Sequence, residues 1–456
     1  MKKIVVKFGG SNLRDKDGMG RIINMIKTYN RPLVIVVSAF YGITNLLTEH
    51  LSLVLIDDGK IKGLKDSLSQ IKKEIIEEFI KSPAIQTEVN SMIEARLNQL
   101  ERYLLGVHYI GDVPEFLEDL VLSYGERLSS VVMAAILKDN NIECKEIWPE
   151  EIGLITDGEY GNASVDYQLS EDTVKEKLSK DIIYVVPGFY GISKDKKVTL
   201  LGRGGTDYSA ASIAKCVGAE SLDIWKDVNG FLSADPKIID KPIKIKRLDY
   251  TEAAELSYFG AKILHPRTIE PLMFDNIPIR IFNINDVDRG LEPYSIIDHE
   301  SDISKNIIKS VTHSDDFGVL QLRGPGVGIK PGILAKVTSD FDDEKINIKT
   351  VITSQTSINF LLDRKDLVKA YNHAKSLNLK VVNEIVPSDN VTLIAAVGKG
   401  LADNHGVAAK MFGALSEKKI NVKIICSGAS SVATYFIIDK KDKTVAIQSI
   451  HKAFFE

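Results

Sequence analysis

Two short segments of this 456-residue chain combine glycines with a cation in the way that oxyanion binding requires. The first is Lys7-Phe8-Gly9-Gly10-Ser11, which follows the apolar run Ile4–Val6. Glycines at the end of a buried strand let backbone N–H groups approach an anion closely, and Lys7 adds a full positive charge. A helix starting after the loop would contribute free N–H groups and its dipole. A plain tight turn beside a surface lysine has the same appearance. The second segment, Leu201-Gly202-Arg203-Gly204-Gly205-Thr206-Asp207, is the stronger signal. Its three glycines can wrap an oxyanion, and the Arg203 fork matches a carboxylate or a phosphate. Thr206 and Asp207 then open a helix of small residues, Tyr208-Ser209-Ala210-Ala211-Ser212-Ile213-Ala214. The plain alternative is a flexible loop with an exposed arginine.

Three further segments carry polar groups at comparable places. Ser38-Ala39, with Gly42-Ile43-Thr44-Asn45 close behind, offers hydroxyls after the run Leu33–Val37. Ser123-Tyr124-Gly125-Glu126-Arg127-Leu128-Ser129 sets a carboxylate beside a guanidinium in an apolar helical context, where a helix-surface ion pair is equally natural. Ile224-Trp225-Lys226-Asp227-Val228-Asn229-Gly230 ends another apolar run with charge and glycine, and Asp235-Pro236-Lys237 follows as a turn. The sequence has no GxxxxGK[ST], no GxGxxG and no HExxH. Its eight histidines are scattered, and His265 before Pro266 suits a turn. No metal-ligand cluster is expected.

The elements that must position these groups read as α/β. Ile4–Val6, Leu33–Val37, Ile182–Val186 and Leu222–Trp225 are Val/Ile-rich runs without alternation, suited to strands buried on both faces. Leu64, Leu68, Ile71, Ile75 and Phe79 trace an amphipathic helix with lysines and glutamates between them, expected to cover the core with a solvent-facing side. Asp249-x-x-Glu252 reads as a capping box. Strands alternating with helices favour a mostly parallel sheet covered on both sides.

The C-terminal third contains an internal repeat with a constant offset of 74 residues. Lys345-Ile346-Asn347-Ile348 recurs as Lys419-Ile420-Asn421-Val422, and Gly332-Ile333-Leu334-Ala335-Lys336 as Gly406-Val407-Ala408-Ala409-Lys410. Each copy reads strand, glycine loop, helix, strand, strand. The segment Asp286–Lys305 is polar and weakly periodic, so a boundary near 300–312 is expected.

Composition bounds the partners. With 44% hydrophobic and 26% charged residues the chain is of globular type. Its formal net charge of −4 gives no general attraction to nucleic acid or anionic membrane. No run approaches 18 apolar residues, so no membrane span is expected. The N-terminal apolar stretch is too short for a signal peptide, and Cys144, Cys216 and Cys426 lie far apart without a CxxC, so a cytoplasmic location is expected.

Taken in order, these motifs resemble the aspartate kinases of the amino-acid kinase superfamily, the matches being completed by Pro187-Gly188-Phe189 and Phe259-Gly260-Ala261-Lys262-x-Leu264-His265-Pro266. The repeat resembles that family's paired ACT regulatory domains. The resemblance implies a kinase domain over 1–300 and ferredoxin-like ACT domains over 312–386 and 387–456. It implies transfer of the γ-phosphoryl of ATP, with Mg²⁺, to the β-carboxylate of L-aspartate, the first step toward lysine, threonine and methionine. Lys7, Gly9, Gly10, Arg203 and Asp207 would then serve catalysis. Ser38, Thr44, Glu126, Arg203 and Thr206 would hold aspartate, with Arg203 on the α-carboxylate and Glu126 on the α-ammonium. Lys7, Gly10, Ser11, Lys226, Asp227, Gly230, Leu232, Lys237 and Lys262 would hold the nucleotide. Three of these depart from the common pattern, with Lys226 in place of threonine, Leu232 of tyrosine and Lys237 of arginine.

The resemblance also implies feedback by an end-product amino acid, lysine or alternatively threonine, at an ACT interface formed by Gly332, Ile333, Leu334, Asn347, Ile348, Lys349, Thr353 and Ser354. Lys349 stands where a lysine-inhibited relative carries an acid. A homodimer or homotetramer built through the ACT domains is expected. Two other readings compete: a kinase acting on a different acid or carbamate, and an amino-acid sensor with an idle kinase module.

Overall fold

The computed structural model describes residues 2–13, 16–261, 263–300, 307–401 and 404–456. Its contacts fall into two compact units. One comprises Met1–Phe231, Lys244–Ala254 and Lys262–Asp302; the other comprises Leu232–Ile243, Glu255–Ala261 and Ile303–Glu456.

The first unit is built on an eight-stranded sheet. Its order is Arg247–Asp249, Ser295–Asp298, Ile279–Asn283, Ser221–Lys226, Ile4–Phe8, Leu33–Val37, Ile183–Pro187 and Cys144–Glu146. All pairings are parallel except that of Ile279–Asn283 with Ser295–Asp298. The runs of Val and Ile foreseen as doubly buried strands occupy its centre, and every residue of Ile4–Phe8, Leu33–Val37 and Ile183–Pro187 is buried. The strand Ser295–Asp298 lies inside the segment expected to be an irregular linker; its Ser295 and Ile297 alternate inward, a pattern too short to read from sequence. Asp249 and Glu252 form the expected capping box, with reciprocal bonds of 2.7 and 3.0 Å.

Helices cover the sheet. The stretch Glu115–Asp139 is apolar over an 18-residue window, and 89% of that window is buried inside the protein, as in a core helix. The helix expected to be a cover, Gly59–Phe79, buries Ile61, Leu64, Leu68, Lys72 and Ile76. A lysine thus sits in its core stripe.

The second unit holds two four-stranded antiparallel sheets, ferredoxin-like in form. One runs Ile348–Thr353, Ser357–Asp363, Phe317–Arg323, Glu384–Ser388; the other runs Ser310–Ser314, Val391–Val397, Ala433–Asp439, Val422–Cys426. The strand Ser310–Ser314, which precedes the first repeat, therefore completes the sheet of the second. Repeat symmetry reaches the backbone. Gly332 and Gly406 cap the equivalent helices at φ 86° and 78°, and Lys345 and Lys419 adopt left-handed φ of 55° and 56°.

Candidate active site

Parallel strands end at one edge, and that edge collects the polar groups. Lys7 pairs in register with Val36 on one side and Ile224 on the other, so Lys7–Gly10, Ser38–Ala39 and Lys226 emerge side by side. This is where ligands bind in open α/β sheets. The two glycine segments meet there, lining one cavity of about 400 Å³. Lys7, Gly10, Ser11, Ser38, Thr44, Glu126, Arg203, Thr206 and Asp207 all face it. Gly9 stands just behind, where a Cβ would come within 3.4 Å of Lys7 Nζ.

The first loop is closed by Asn12 N–H to Gly9 O (3.0 Å) and Leu13 N–H to Gly10 O (3.2 Å). Asn12 Nδ2 donates to Trp225 O at 2.7 Å and pins the loop to the neighbouring strand. Gly10 is required by approach as well as by turn, because a Cβ there would stand 2.9 Å from Ala39 O.

The second loop carries Gly202 and Gly204 at φ 73°, and Gly204 caps the helix Gly205–Cys216. Arg267 braces this loop from outside, donating to Leu201 O at 2.9 Å and Asn162 Oδ1 at 2.9 Å while lying over the Tyr208 ring. His265 takes the expected turn role as the cap of Pro266–Met273 and packs against Gly204. Arg203 itself is exposed at the mouth of the cavity.

Asp207 is the electrostatic centre. Its Oδ1 lies 2.5 Å from Lys7 Nζ and its Oδ2 3.1 Å from Lys226 Nζ. Burial works to raise its pKa, but Lys226 and Lys7 outweigh burial and hold the carboxyl well below the usual range. Burial lowers the Lys7 pKa, against the pull of Asp207. One carboxylate thus holds two ammonium groups at the strand ends, a geometry suited to an anion richer in charge than a carboxylate.

Glu126 and Arg127 do not pair with each other. Arg127 binds Glu150 and stacks near Trp148 and Tyr190, whereas Glu126 turns into the cavity. Glu126 accepts from the Ala39 backbone N–H and, at 3.5 Å, from Thr206 Oγ1. Its Oε2 is buried and has no hydrogen-bond partner among the described residues. Burial pushes its pKa up to about 8. A buried carboxyl with an open oxygen facing a cavity is a receptor for a cation.

The remaining nominated residues fall elsewhere. Asp227 is exposed just past Lys226, and Gly230 adopts φ 68° with a Cβ position 2.4 Å from Ser295 Oγ. Leu232 and Lys237 belong to the segment grouped with the second unit, where Lys237 N–H bonds Asp235 Oδ1 at 2.9 Å in the foreseen turn. Lys262 lies outside the described residues. In the first repeat, Gly332 caps the helix that begins with Ile333 and Leu334, Ile348, Lys349 and Thr353 lie on one strand, and Asn347 and Ser354 flank it. Ile333 and Ile348 share a core cluster. Lys349 Nζ lies 3.7 Å from Asp363 Oδ1 and over the Tyr258 ring.

Several residues at or behind the cavity were given no role in the sequence: Phe189 and Asn45 stood only within quoted motifs, and Phe40, Tyr41 and Lys72 were not singled out. Phe189 lines it with a left-handed φ of 76°, a conformation few bulky residues take. Phe40 and Tyr41 line it from the turn after the second strand, and Asn45 from the helix Ile43–Val54 that follows. Lys72 stands behind Phe40, and its spacing of four from Leu68 and Ile76 was the available signal.

The fold and the doubled glycine cradle correspond to a described family of phosphoryl-transfer proteins. The profile of the Amino acid kinase family matches residues 2–283, and ACT domain profiles match 312–373 and 394–454. Aspartokinase 1, chloroplastic, of Arabidopsis thaliana is 31% identical over 99% of this chain and 80% of its own length. The bifunctional aspartokinase/homoserine dehydrogenase of Buchnera aphidicola is 30% identical over 99% of the chain, which spans 56% of that relative. Among solved structures, E. coli aspartokinase III in complex with aspartate and ADP (R-state) superposes with a TM-score of 0.84 at 25% identity, covering 100% of both chains. The same enzyme with lysine and aspartate (T-state) gives 0.80, again at 25% identity and 100% of both chains. The chain belongs to the aspartokinase branch of the amino acid kinase family.

Proposed function

We propose that this chain transfers the γ-phosphoryl group of MgATP to the β-carboxylate of L-aspartate. The observation that carries the reading is the convergence of both glycine cradles, Glu126 and the Lys7–Asp207–Lys226 cluster on one cavity. A carboxylate is already nucleophilic at neutral pH, so the chain's task is positioning and charge neutralisation. Lys7 with the Gly9, Gly10 and Ser11 segment holds the transferring phosphoryl, and Lys226 adds a second cation. Asp207 keeps the two lysines from repelling each other apart. Arg203 binds the α-carboxylate, Glu126 binds the α-ammonium, and Ser38, Thr44 and Thr206 orient the acceptor between them.

Asp227, Gly230, Leu232, Lys237 and Lys262 remain the proposed nucleotide contacts by resemblance. When bound with the nucleotide, magnesium would supply further neutralisation of phosphate charge beside Lys7 and Lys226. The functional division follows the limits 1–300, 312–386 and 387–456. The ACT pair serves feedback, with lysine the first candidate effector and threonine the second, at the site of Gly332, Ile333, Leu334, Asn347, Ile348, Lys349, Thr353 and Ser354. Pairing through the ACT domains gives a homodimer or homotetramer, and the enzyme works in the cytoplasm at the head of the lysine, threonine and methionine route. The solved relative holding aspartate with ADP supports the substrates, and its lysine-bound form supports the effector class.

An ATP-dependent hydroxamate assay tests the reading. Aspartate should give a trapped acyl phosphate, and added lysine or threonine should lower the rate. Absence of aspartate-dependent product would defeat the substrate assignment. Full insensitivity to both amino acids would defeat the effector assignment.

A further inference from the structure

Arg203 stands between Gly202 and Gly204, both at φ 73°, so neither neighbour has a side chain with which to anchor it. What fixes this loop lies outside it. Gly202 leans on a second loop, since a Cβ there would stand 2.6 Å from Asn162 Oδ1 and 3.1 Å from Gly161 O. The buried Asp119 ties that loop to the strand leading into Arg203, its Oδ2 accepting from Gly161 N–H at 2.9 Å and from Leu200 N–H at 2.8 Å. The Ala163 N–H donates to Leu200 O at 2.8 Å.

Arg267 closes the same junction from the other side. Its Nη1 donates to Leu201 O and to Asn162 Oδ1, both at 2.9 Å. Its Nη2 donates to Ala163 O at 2.5 Å and to Ser164 Oγ at 3.2 Å. The guanidinium carbon lies 4.4 Å from the centroid of the Tyr208 ring, on the helix that Gly204 caps. Two residues earlier, His265 packs where a Gly204 Cβ would be, 2.6 Å from its own Cβ. The start of the helix Pro266–Met273 therefore grips the loop on both sides of Arg203, at Leu201 and at Gly204. All four acceptors of Arg267 are uncharged and they belong to two loops, so the planar fork acts as a clasp and not as half of an ion pair.

We propose that Arg267 is a positioning residue for the acceptor's α-carboxylate: by clasping the 161–164 and 201–204 loops together, it presents the Arg203 guanidinium at the cavity mouth in the orientation that a carboxylate requires. This rests on the reading above in which Arg203 binds that carboxylate. A guanidinium–carboxylate pair is directional, so a loop displaced or left loose weakens it. An exposed arginine on a glycine-flanked loop would otherwise lose loop and side-chain freedom when the acceptor binds, and the clasp removes that cost beforehand. A lysine ammonium is a point charge on a flexible stem and cannot span the four acceptors in one plane.

The test is steady-state kinetics of the full chain in the hydroxamate assay, comparing Arg267→Ala, Arg267→Lys, Arg203→Ala and the Arg203→Ala/Arg267→Ala double variant. Arg267→Ala should raise the aspartate KM about tenfold, within the range that coupled neighbours show, while the ATP KM and kcat hold. Arg267→Lys should show a smaller rise of the same kind, and it carries the test if the alanine variant does not fold. In the Arg203→Ala background the loss of Arg267 should add little to the aspartate KM, because the group it positions is gone. A parental aspartate KM in Arg267→Ala overturns the proposal. So does a loss shared equally by aspartate and ATP, a loss of full size in the Arg203→Ala background, or failure of both Arg267 variants to fold, since each marks a merely structural clasp. If Arg203→Ala raises the aspartate KM while the Arg267 variants match the parent, Arg267 alone is dismissed. If Arg203→Ala keeps the parental aspartate KM, the α-carboxylate reading falls, and the Arg267 proposal with it.

Discussion

Asp207 and Glu126 are both buried carboxyls, yet their neighbours drive them in opposite directions. Asp207 is held ionised by Lys226 and Lys7, so its stabilising contribution is present above the unfolded carboxyl value and is lost as pH falls through and below the ordinary 3.8. Asp207→Asn should therefore lower the melting temperature at neutral pH, with the difference shrinking in acid. Its kcat should fall by on the order of 10² or more, because two uncompensated lysines would face each other at the phosphate position. Glu126 has the opposite sign. Its carboxyl is raised from 4.5 to about 8, so its contribution to stability is full below 4.5 and is lost as pH rises toward 8. Glu126→Gln should gain melting temperature relative to the parent at alkaline pH and gain nothing near pH 4, while binding aspartate poorly. Thermal melts across pH check both. The site residues were legible because glycine and cation types at strand ends have a chemical meaning of their own. Lys72 was not, because a lysine among glutamates on an amphipathic helix ordinarily faces water, and only the i±4 register to Leu68 and Ile76 argued otherwise.

At the scale of elements, the site depends on close approach between the turn after the second strand and the helix Tyr124–Asp139. Gly125 makes that approach possible, since a Cβ there would stand 2.8 Å from Ala39 Cβ. Within a helix, glycine to alanine normally stabilises by about 1 kcal/mol. Here the added methyl would push the turn away from Glu126, so Gly125→Ala should destabilise instead and raise the aspartate KM several-fold. A melt with kinetics decides it: a stabilised variant with parental KM would show that the turn tolerates the displacement. The central strands and the capping box at Asp249 were readable because uninterrupted Val/Ile runs and paired cap residues are local signals. The strand Ser295–Asp298 was not, because its four residues are polar at both ends and are fixed by pairing with Ile279–Asn283. The 74-residue repeat was readable as a period, and its matched left-handed positions at Lys345 and Lys419 follow from it. The placement of Ser310–Ser314 in the second repeat's sheet is a non-local choice that no period encodes.

The two compact units are not two consecutive pieces of chain. Leu232–Ile243 and Glu255–Ala261 lie within the N-terminal portion of the sequence but group with the C-terminal unit. Their bonds are made there. Val311 N–H donates to Ser233 O at 2.8 Å, Ser310 Oγ donates to Leu232 O at 2.9 Å, and Ser233 Oγ meets His451 Nε2 at 2.9 Å. Phe259 packs on Tyr435 with ring centroids 4.5 Å apart, and the Tyr258 hydroxyl donates to Lys349 O at 3.2 Å. Truncation after residue 302 would strip both segments of these partners, exposing buried apolar side chains and orphaning backbone groups that cost about 1–3 kcal/mol each. The truncated chain should thus be poorly soluble or far less stable, with little turnover, instead of an active kinase freed from feedback. Single substitutions that weaken a contact without removing the unit, such as His451→Ala, should leave a soluble protein with a lowered melting temperature. Expression of the fragment beside the full chain, read by soluble yield, melting temperature and hydroxamate formation, separates the cases. A soluble fragment with parental stability and rate would mean that these two segments find adequate partners without the C-terminal unit.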